Sequence, residues 1–343
     1  MKFNINWTKE DLKKIPKRNL KVFTTFACGG GSSYGYKLNG LFVEHSNDID
    51  PQMIEVYYRN HVAIADYPIK QYHCDIRDLK DMIDPALVGT IDILDGSPPR
   101  SSFSMAGKRE KDWGKKKVFR EGQAEQTLDD LFFKFLDFAD YLKPKVIIAE
   151  NVKGMLAGNA MTYTKNVMKK FNEIGYSVQL FLLNSATMGV PQKRQRVFFI
   201  ASRKELNLPK LTMEFNEPPI TFGEIRSLVG DEPTEHTKSV LGYYKKTDKC
   251  LGDINIRING KNTQFTSMIL KDDEVTNTVT STGDDYRAFD KMKCSAMDFT
   301  KRQSFPLDYD YMGLSAKYVT GMSVPPIMMA QVVARMLEQW NLQ

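Results

Sequence analysis

Between Leu20 and about Ser202 the chain alternates short β-rich runs with segments of helical periodicity. Strands that are separated by helices run parallel, because a tight hairpin joins only antiparallel neighbours. The alternation therefore predicts an α/β fold, a parallel sheet covered by helices. The strand runs are "LKVFTTFA" (20–27), "LFVEHSND" (41–48), "IDILDG" (91–96), "KVIIAEN" (145–151), "SVQLFLLN" (177–184) and "RVFFIAS" (196–202). The strongest helical stripe lies between two of them, with Leu128, Leu131, Phe132, Phe135, Ala139 and Leu142 at three- and four-residue steps. Thr127 is placed to cap that helix and Pro144 to stop it.

Past Arg203 the alternation fades into prolines, glycines and short β-like pieces, and a helical pattern returns in "SVPPIMMAQVVARMLEQW" (323–340). The expected division is a catalytic and cofactor domain over 1–203, a second domain over 204–290, and a C-terminal segment over 291–343 that returns to the first. At 343 residues with 42% hydrophobic content, the chain can bury a core of that extent. No apolar run reaches about 18 residues and the basic N-terminus lacks an apolar stretch, so neither a membrane span nor a signal peptide is expected. A cytoplasmic protein is the default. Cys28, Cys74, Cys250 and Cys294 lie far apart without a CxxC pair, which predicts reduced thiols and no metal site. A net charge of +6 favours an anionic partner such as nucleic acid.

Local chemistry narrows this further. In "FTTFACGGGSSYG" (23–35) a strand runs into Gly29, Gly30 and Gly31 and then a helical segment, a turn that lets a ligand approach the backbone closely. About 20 residues on, Asp48 stands where an acid bonds ribose hydroxyls in nucleotide sites, while Asp50, before Pro51, suits a helix N-cap. Asp75 and Ile76 follow a third short run and suit an adenine amino group and ring face. Glu150 ends an apolar strand, either as a buried acid with a working role or as an N-cap. Arg194 and Arg196, two apart at a strand start, are expected on one face with Glu150.

Taken in order, these segments resemble the C5-cytosine DNA methyltransferase family. "FACGGGSSYG" is similar to its first motif, "SNDID" and "CDIRDL" to the next two, and "GSPPRSSFS" to its Pro-Cys motif. "ENVKGM" resembles the Glu-Asn-Val motif, "QKRQR" the Gln-x-Arg-x-Arg motif, and "GMSVPP" the last one, after "FTKRQSFPLDYDY". The resemblance covers nearly the whole chain and implies a Rossmann-like, S-adenosylmethionine-dependent methyltransferase sheet with a smaller target-recognition domain. It implies S-adenosylmethionine as cofactor, with S-adenosylhomocysteine as product, held by Phe26, Gly29, Gly30, Asp48, Ile49, Asp75, Ile76, Ser97, Ser323 and Val324. It places Pro99, Glu150, Asn151, Arg194 and Arg196 around the target base. Double-stranded DNA is the implied partner of a monomeric enzyme, and a tRNA-methylating branch leaves RNA open.

Three positions depart from the pattern. Cys28 stands where the family has its first glycine, Met322 where it has an asparagine, and Arg100 where it has the nucleophilic cysteine. In the family a thiolate adds to C6 of cytosine so that C5 can accept a methyl group, on a base flipped out of the duplex. A guanidinium, protonated below about pH 12, supplies no lone pair for that attack. Three readings follow: a C5 methyltransferase scaffold with its nucleophile replaced, a cytosine N4 methyltransferase using "SPPR", and a non-catalytic DNA-binding module. The Glu-Asn-Val and Gln-x-Arg-x-Arg resemblances favour the first. The segment 101–126, with seven Lys/Arg against four Asp/Glu and glycines at 107, 114 and 122, reads as a lid over DNA.

Overall fold

The structure is a computed structural model that describes residues 3–98, 130–158, 160–261 and 263–342. Pro99, Arg100, the segment 101–126, Thr127 and Leu128, all assigned roles from the sequence, lie outside the described residues. Seven strands form the main sheet: β1 (Lys21–Thr25), β2 (Phe42–Asp48), β3 (Lys70–His73), β4 (Ile93–Gly96), β5 (Val146–Val152), β6 (Tyr176–Asn184) and β7 (Gln195–Arg203). Their spatial order is β3-β2-β1-β4-β5-β7-β6. The pairs β3–β2, β2–β1, β1–β4 and β4–β5 are parallel, and β7 runs antiparallel to β5. This is the expected α/β fold, a Rossmann-like sheet. Its order has a consequence for function: the chain runs outward from β1 to β3, then returns to the other side of β1 as β4. Ligands of open α/β sheets bind at the carboxyl ends of the strands flanking such a reversal.

Six of the seven strands sit where the β-rich runs place them, and the inner strands β1, β4, β5 and β7 are the most continuously apolar and buried. β3 is the exception: its four residues, KQYH, bury only Tyr72. Helix α1 (Gly31–Lys37) follows the glycine turn, and α2 (Pro51–Tyr57) begins at Asp50, whose Oδ1 accepts the N–H groups of Gln52 (2.9 Å) and Met53 (3.4 Å). Asp50 is therefore the N-cap read from the sequence. Helix α3 (Leu131–Leu142) buries Leu131, Phe132, Phe135, Ala139 and Leu142 as the stripe predicts, together with Leu136 and Phe138. It starts one residue after Asp130 and ends as Lys143 turns into the left-handed region (φ 53°), just before Pro144.

Together with Phe171 of α4 (Ala160–Glu173), α3 covers the sheet face formed by Phe23, Leu94, Ile147, Ala149, Val197 and Phe199. Phe132 meets Phe199 edge-on with ring centroids 5.1 Å apart, and Phe138 meets Phe23 at 5.3 Å. Each such side chain contributes roughly 1.5–3 kcal/mol of burial, and the edge-on pairs add about 0.5–1.5 kcal/mol.

The chain divides into two compact units. The larger comprises Ile15–Leu183, Gln195–Glu214 and Ala330–Gln343, and the smaller Met1–Lys14, Asn184–Arg194 and Phe215–Met329. These boundaries fall elsewhere than 203 and 290, because the N-terminal segment and the stretch before β7 belong with the smaller unit. There Trp7 is buried, its Nε1–H donating to the Ser304 carbonyl at 3.1 Å while its own carbonyl accepts from Leu307 N–H at 2.8 Å. The last helix, α5 (Pro326–Trp340), crosses the boundary at Ala330. In the larger unit, Asn39 Nδ2 donates to the Ala330 carbonyl (3.0 Å) and Trp340 Nε1 to the Pro209 carbonyl (2.8 Å). Among the described residues, no helix is long and apolar enough to cross a membrane.

Candidate active site

The glycine turn after β1 is built from left-handed residues: Phe26 has φ 52°, Cys28 φ 48° and Gly30 φ 78°. An L-residue in that region costs roughly 1–2 kcal/mol, which explains why glycine is the natural occupant of position 28 and why Cys28 needs an anchor. Its N–H donates to Asp48 Oδ2 at 2.7 Å, while Asp48 Oδ1 accepts from Asp50 N–H at 2.9 Å. Burial pushes the Asp48 carboxyl above its ordinary value, and these backbone N–H bonds hold it back. The ends of β2 and β3 are laced by Asn47, whose Nδ2 donates to the carbonyls of Tyr72 (3.1 Å) and Cys74 (2.9 Å).

The residues assigned to the cofactor divide into two sets. Phe26, Asp48 and Ile49 are half-buried around the carboxyl ends of β1 and β2, with Gly29 and Gly30 in the turn between. Asp75 is engaged by Arg77, whose Nη1–H reaches Oδ2 at 2.7 Å and whose N–H reaches Oδ1 at 2.9 Å. Ile76 is almost fully enclosed in the hydrophobic core, against which the partly buried Phe26 also packs. Ser323 and Val324 lie in the smaller unit. There the Ser323 hydroxyl donates to the Val319 carbonyl at 2.8 Å, within its own helix turn.

At the ends of β4 and β5 the register sets Gly96 beside Ala149, so Ser97 and Glu150 each stand one residue beyond a paired position. Glu150 is buried, and Arg196 Nε lies 2.8 Å from its Oε1. That approach is an ion pair without hydrogen-bond geometry, and Glu150 Oε1 has no hydrogen-bond partner among the described residues. Ser97 Oγ, also buried, has none either. Leaving the Ser97 hydroxyl unmet costs about 1–3 kcal/mol, and it stands at the carboxyl end of β4, next to the strand that carries the ion-paired Glu150. Asn151 turns the other way: its Nδ2 donates to the Pro98 carbonyl at 3.3 Å, tying β5 to the chain just past β4.

Arg194 corrects the expectation of two arginines beside Glu150. It belongs to the smaller unit, where its guanidinium donates to the carbonyls of Val279 (3.3 Å), Gly321 (3.4 Å) and Ser323 (3.1 Å). Two-residue spacing places side chains on one face only within a continuous strand, and β7 begins at Gln195, after Arg194. Asp95, unassigned from the sequence, lies in β4 with its carboxyl bonded by Thr24 and Tyr36. An acid near the carboxyl end of the run "IDILDG", after Ile93 and Leu94, was the available signal.

Known proteins with this architecture bear on the site. The chain is 32% identical over 189 residues to the type II methyltransferase M.FnuDI of Fusobacterium nucleatum, a match that takes in 55% of this chain and about half, 48%, of that relative's length. It is 25% identical over 346 residues to the type II methyltransferase M1.HphI of Haemophilus parahaemolyticus, covering 94% of this chain and 88% of that one. A crystal structure of a Spodoptera frugiperda DNMT2 mutant matches with a TM-score of 0.65 over 93% of this chain and all of that one, at 16% identity, a likeness of fold. The model of the C-5 cytosine-specific DNA methylases matches residues 20–338, and with that span the chain belongs to the C-5 cytosine-specific DNA methylase family.

Proposed function

We propose that this chain is a scaffold for methylating C5 of cytosine in double-stranded DNA, built to hold S-adenosylmethionine and an extrahelical cytosine, in which Arg100 blocks the covalent route. The observation that carries this reading is the buried Glu150–Arg196 ion pair at the end of β5, with the unmet buried Ser97 Oγ at the end of the neighbouring β4. Glu150 offers its carboxyl to the N3 side of the base and Arg196 its guanidinium to the O2 side, so both stabilise charge that develops on the ring. Asn151 holds the Pro98 carbonyl.

The residues around the glycine turn fit S-adenosylmethionine. Gly30 leaves no room for a Cβ, the Asp48 carboxylate stands at the end of β2, and Phe26 and Ile49 offer partly exposed apolar surface. When bound, the cofactor supplies a methyl group on a positively charged sulfonium. What the chain lacks is a nucleophile at position 100. Burial and the neighbouring Asp78 and Asp75 push the Cys74 thiol up to about 11, and burial raises Cys294 well above the ordinary thiol range. Both stay protonated at neutral pH, and a thiol rather than a thiolate does not attack. Loss of a nucleophile in a well-dissected hydrolase costs on the order of 10⁶ in rate, so the protein is expected to be silent in methylation while binding cofactor and DNA. The relatives named type II methyltransferases suggest a restriction-modification setting, with residues 204–290 as the target-recognition region.

The test is Arg100→Cys. With the matched DNA site and S-adenosylmethionine, this variant should yield 5-methylcytosine and a covalent adduct with DNA carrying 5-fluorocytosine, and the parent should yield neither. If Arg100→Cys binds cofactor and DNA yet gives no product and no adduct, the C5 reading fails. N4-methylcytosine from the parent protein would replace it with the amino-methylating alternative.

A further inference from the structure

Asp95 sits at the end of β4, directly opposite Thr24 of β1, at the point where the strand order reverses. It is 1% exposed. Its Oδ2 accepts from the Thr24 hydroxyl at 2.8 Å and its Oδ1 from the Tyr36 hydroxyl at 3.0 Å, and both partners are buried as well. On the neighbouring strand Asp95 pairs with Ile148, so Glu150, two residues further on, shares its face one step nearer the carboxyl edge. Arg196 is engaged with Glu150. Asp95 has hydroxyl partners and, among the described residues, no ion-pair partner.

The three side chains of this node belong to three functional segments. Thr24 leads into the glycine turn, Tyr36 lies in the helix that follows it, and Asp95 leads into Ser97-Pro98. A buried acid without a cation is costly to ionise. Burial in the first place pushes the Asp95 carboxyl up to about 7, against the Thr24, Tyr36 and Ser32 hydroxyls that lower it, and the Glu150 charge raises it further. An apolar residue would serve packing alone better. An acid that ionises near neutrality under a cofactor loop is useful if the cofactor's own charge changes during the reaction, and methyl transfer turns a sulfonium cation into a neutral thioether.

We infer that Asp95 is a charge-sensing positioning residue beneath the cofactor, whose ionised carboxylate favours S-adenosylmethionine over S-adenosylhomocysteine and so drives exchange of spent for fresh cofactor. This rests on the reading that the carboxyl ends of β1, β2 and β4 hold that cofactor. Linkage makes it measurable: if the carboxylate favours the sulfonium, binding the sulfonium must favour the carboxylate and expel a proton. A tenfold coupling would lower the carboxyl's pKa by one unit and release roughly 0.4 proton near pH 7.

Isothermal titration calorimetry in two buffers of different ionisation enthalpy, from pH 6 to 8.5, counts those protons for each ligand. Near pH 7 the protein should release roughly 0.4 proton more with S-adenosylmethionine than with S-adenosylhomocysteine, and its preference for the former should rise about fivefold from pH 6 to 8.5. In Asp95→Asn the excess and the pH trend should vanish; the ligands' amino groups contribute alike in both proteins and cancel. Tyr36→Phe removes a hydroxyl that lowers the Asp95 pKa, so its excess should peak at higher pH. Equal release for the two ligands, an excess that survives Asp95→Asn, or a Tyr36→Phe profile that does not move would each overturn the inference. Absence of any heat of binding with either ligand would instead overturn the cofactor reading on which it rests.

Discussion

Replacing Gly30 with alanine isolates what the glycine turn contributes. Gly30 has φ 78°, where an alanine costs roughly 1–2 kcal/mol in backbone strain alone. A Cβ there would also fall 1.9 Å from His61 Nε2. His61 cannot retreat cheaply: it is fully buried, its ring centroid lies 4.0 Å from that of Tyr34 and 4.3 Å from that of Tyr57, and Lys37 Nζ approaches its Nδ1 at 3.2 Å. Forcing such a packed side chain aside costs roughly 1–3 kcal/mol more, so Gly30→Ala should lose about 2–5 kcal/mol of a stability that for ordinary domains is about 5–15 kcal/mol. Urea unfolding reads this as a lower midpoint at unchanged slope. Gly175→Ala is the control, with φ 94° and no heavy atom within 4 Å of the added Cβ, and it should show strain without the clash. In a double-mutant cycle with His61→Ala, Gly30→Ala should cost about 1–3 kcal/mol less than it does alone. Equal losses at positions 30 and 175, or strict additivity with His61→Ala, would falsify the account of a turn wedged against a buried imidazole.

Asp48→Ala should weaken S-adenosylmethionine binding at least tenfold by calorimetry, because it removes both the carboxylate proposed to bond the ribose and the acceptor that anchors the strained Cys28 N–H; unchanged affinity would remove Asp48 from the site. Replacing Lys115, Lys116 and Lys117 with alanine should flatten the dependence of log DNA affinity on log salt, by up to about 0.9 for each phosphate that is no longer neutralised. A slope equal to the parent's would take this segment out of the DNA interface.

The sequence by itself determined the elements that local chemistry dictates. The apolar runs of β1, β4, β5 and β7 are legible because an inner strand buried on both faces has little polar sequence to show. The stripe of α3 is legible because one helical face meets the sheet, and Asp50 before Pro51 because a cap needs only its own next turn. The family motifs belong to the same class, each being a few residues that act through one loop or one strand end. What the tertiary structure alone decided are the pairings between distant segments. Thr24 meets Asp95 across 71 positions and Asn39 meets Ala330 across 291, distances over which spacing in the chain carries no register. The same limit separates Arg194 from Arg196: two residues apart in sequence, one is held by carbonyls of the smaller unit and the other by Glu150. Whether a side chain works as a clamp or as a site is set by which long-range partner its backbone is carried to, and the sheet order fixes that only once the strands have assembled.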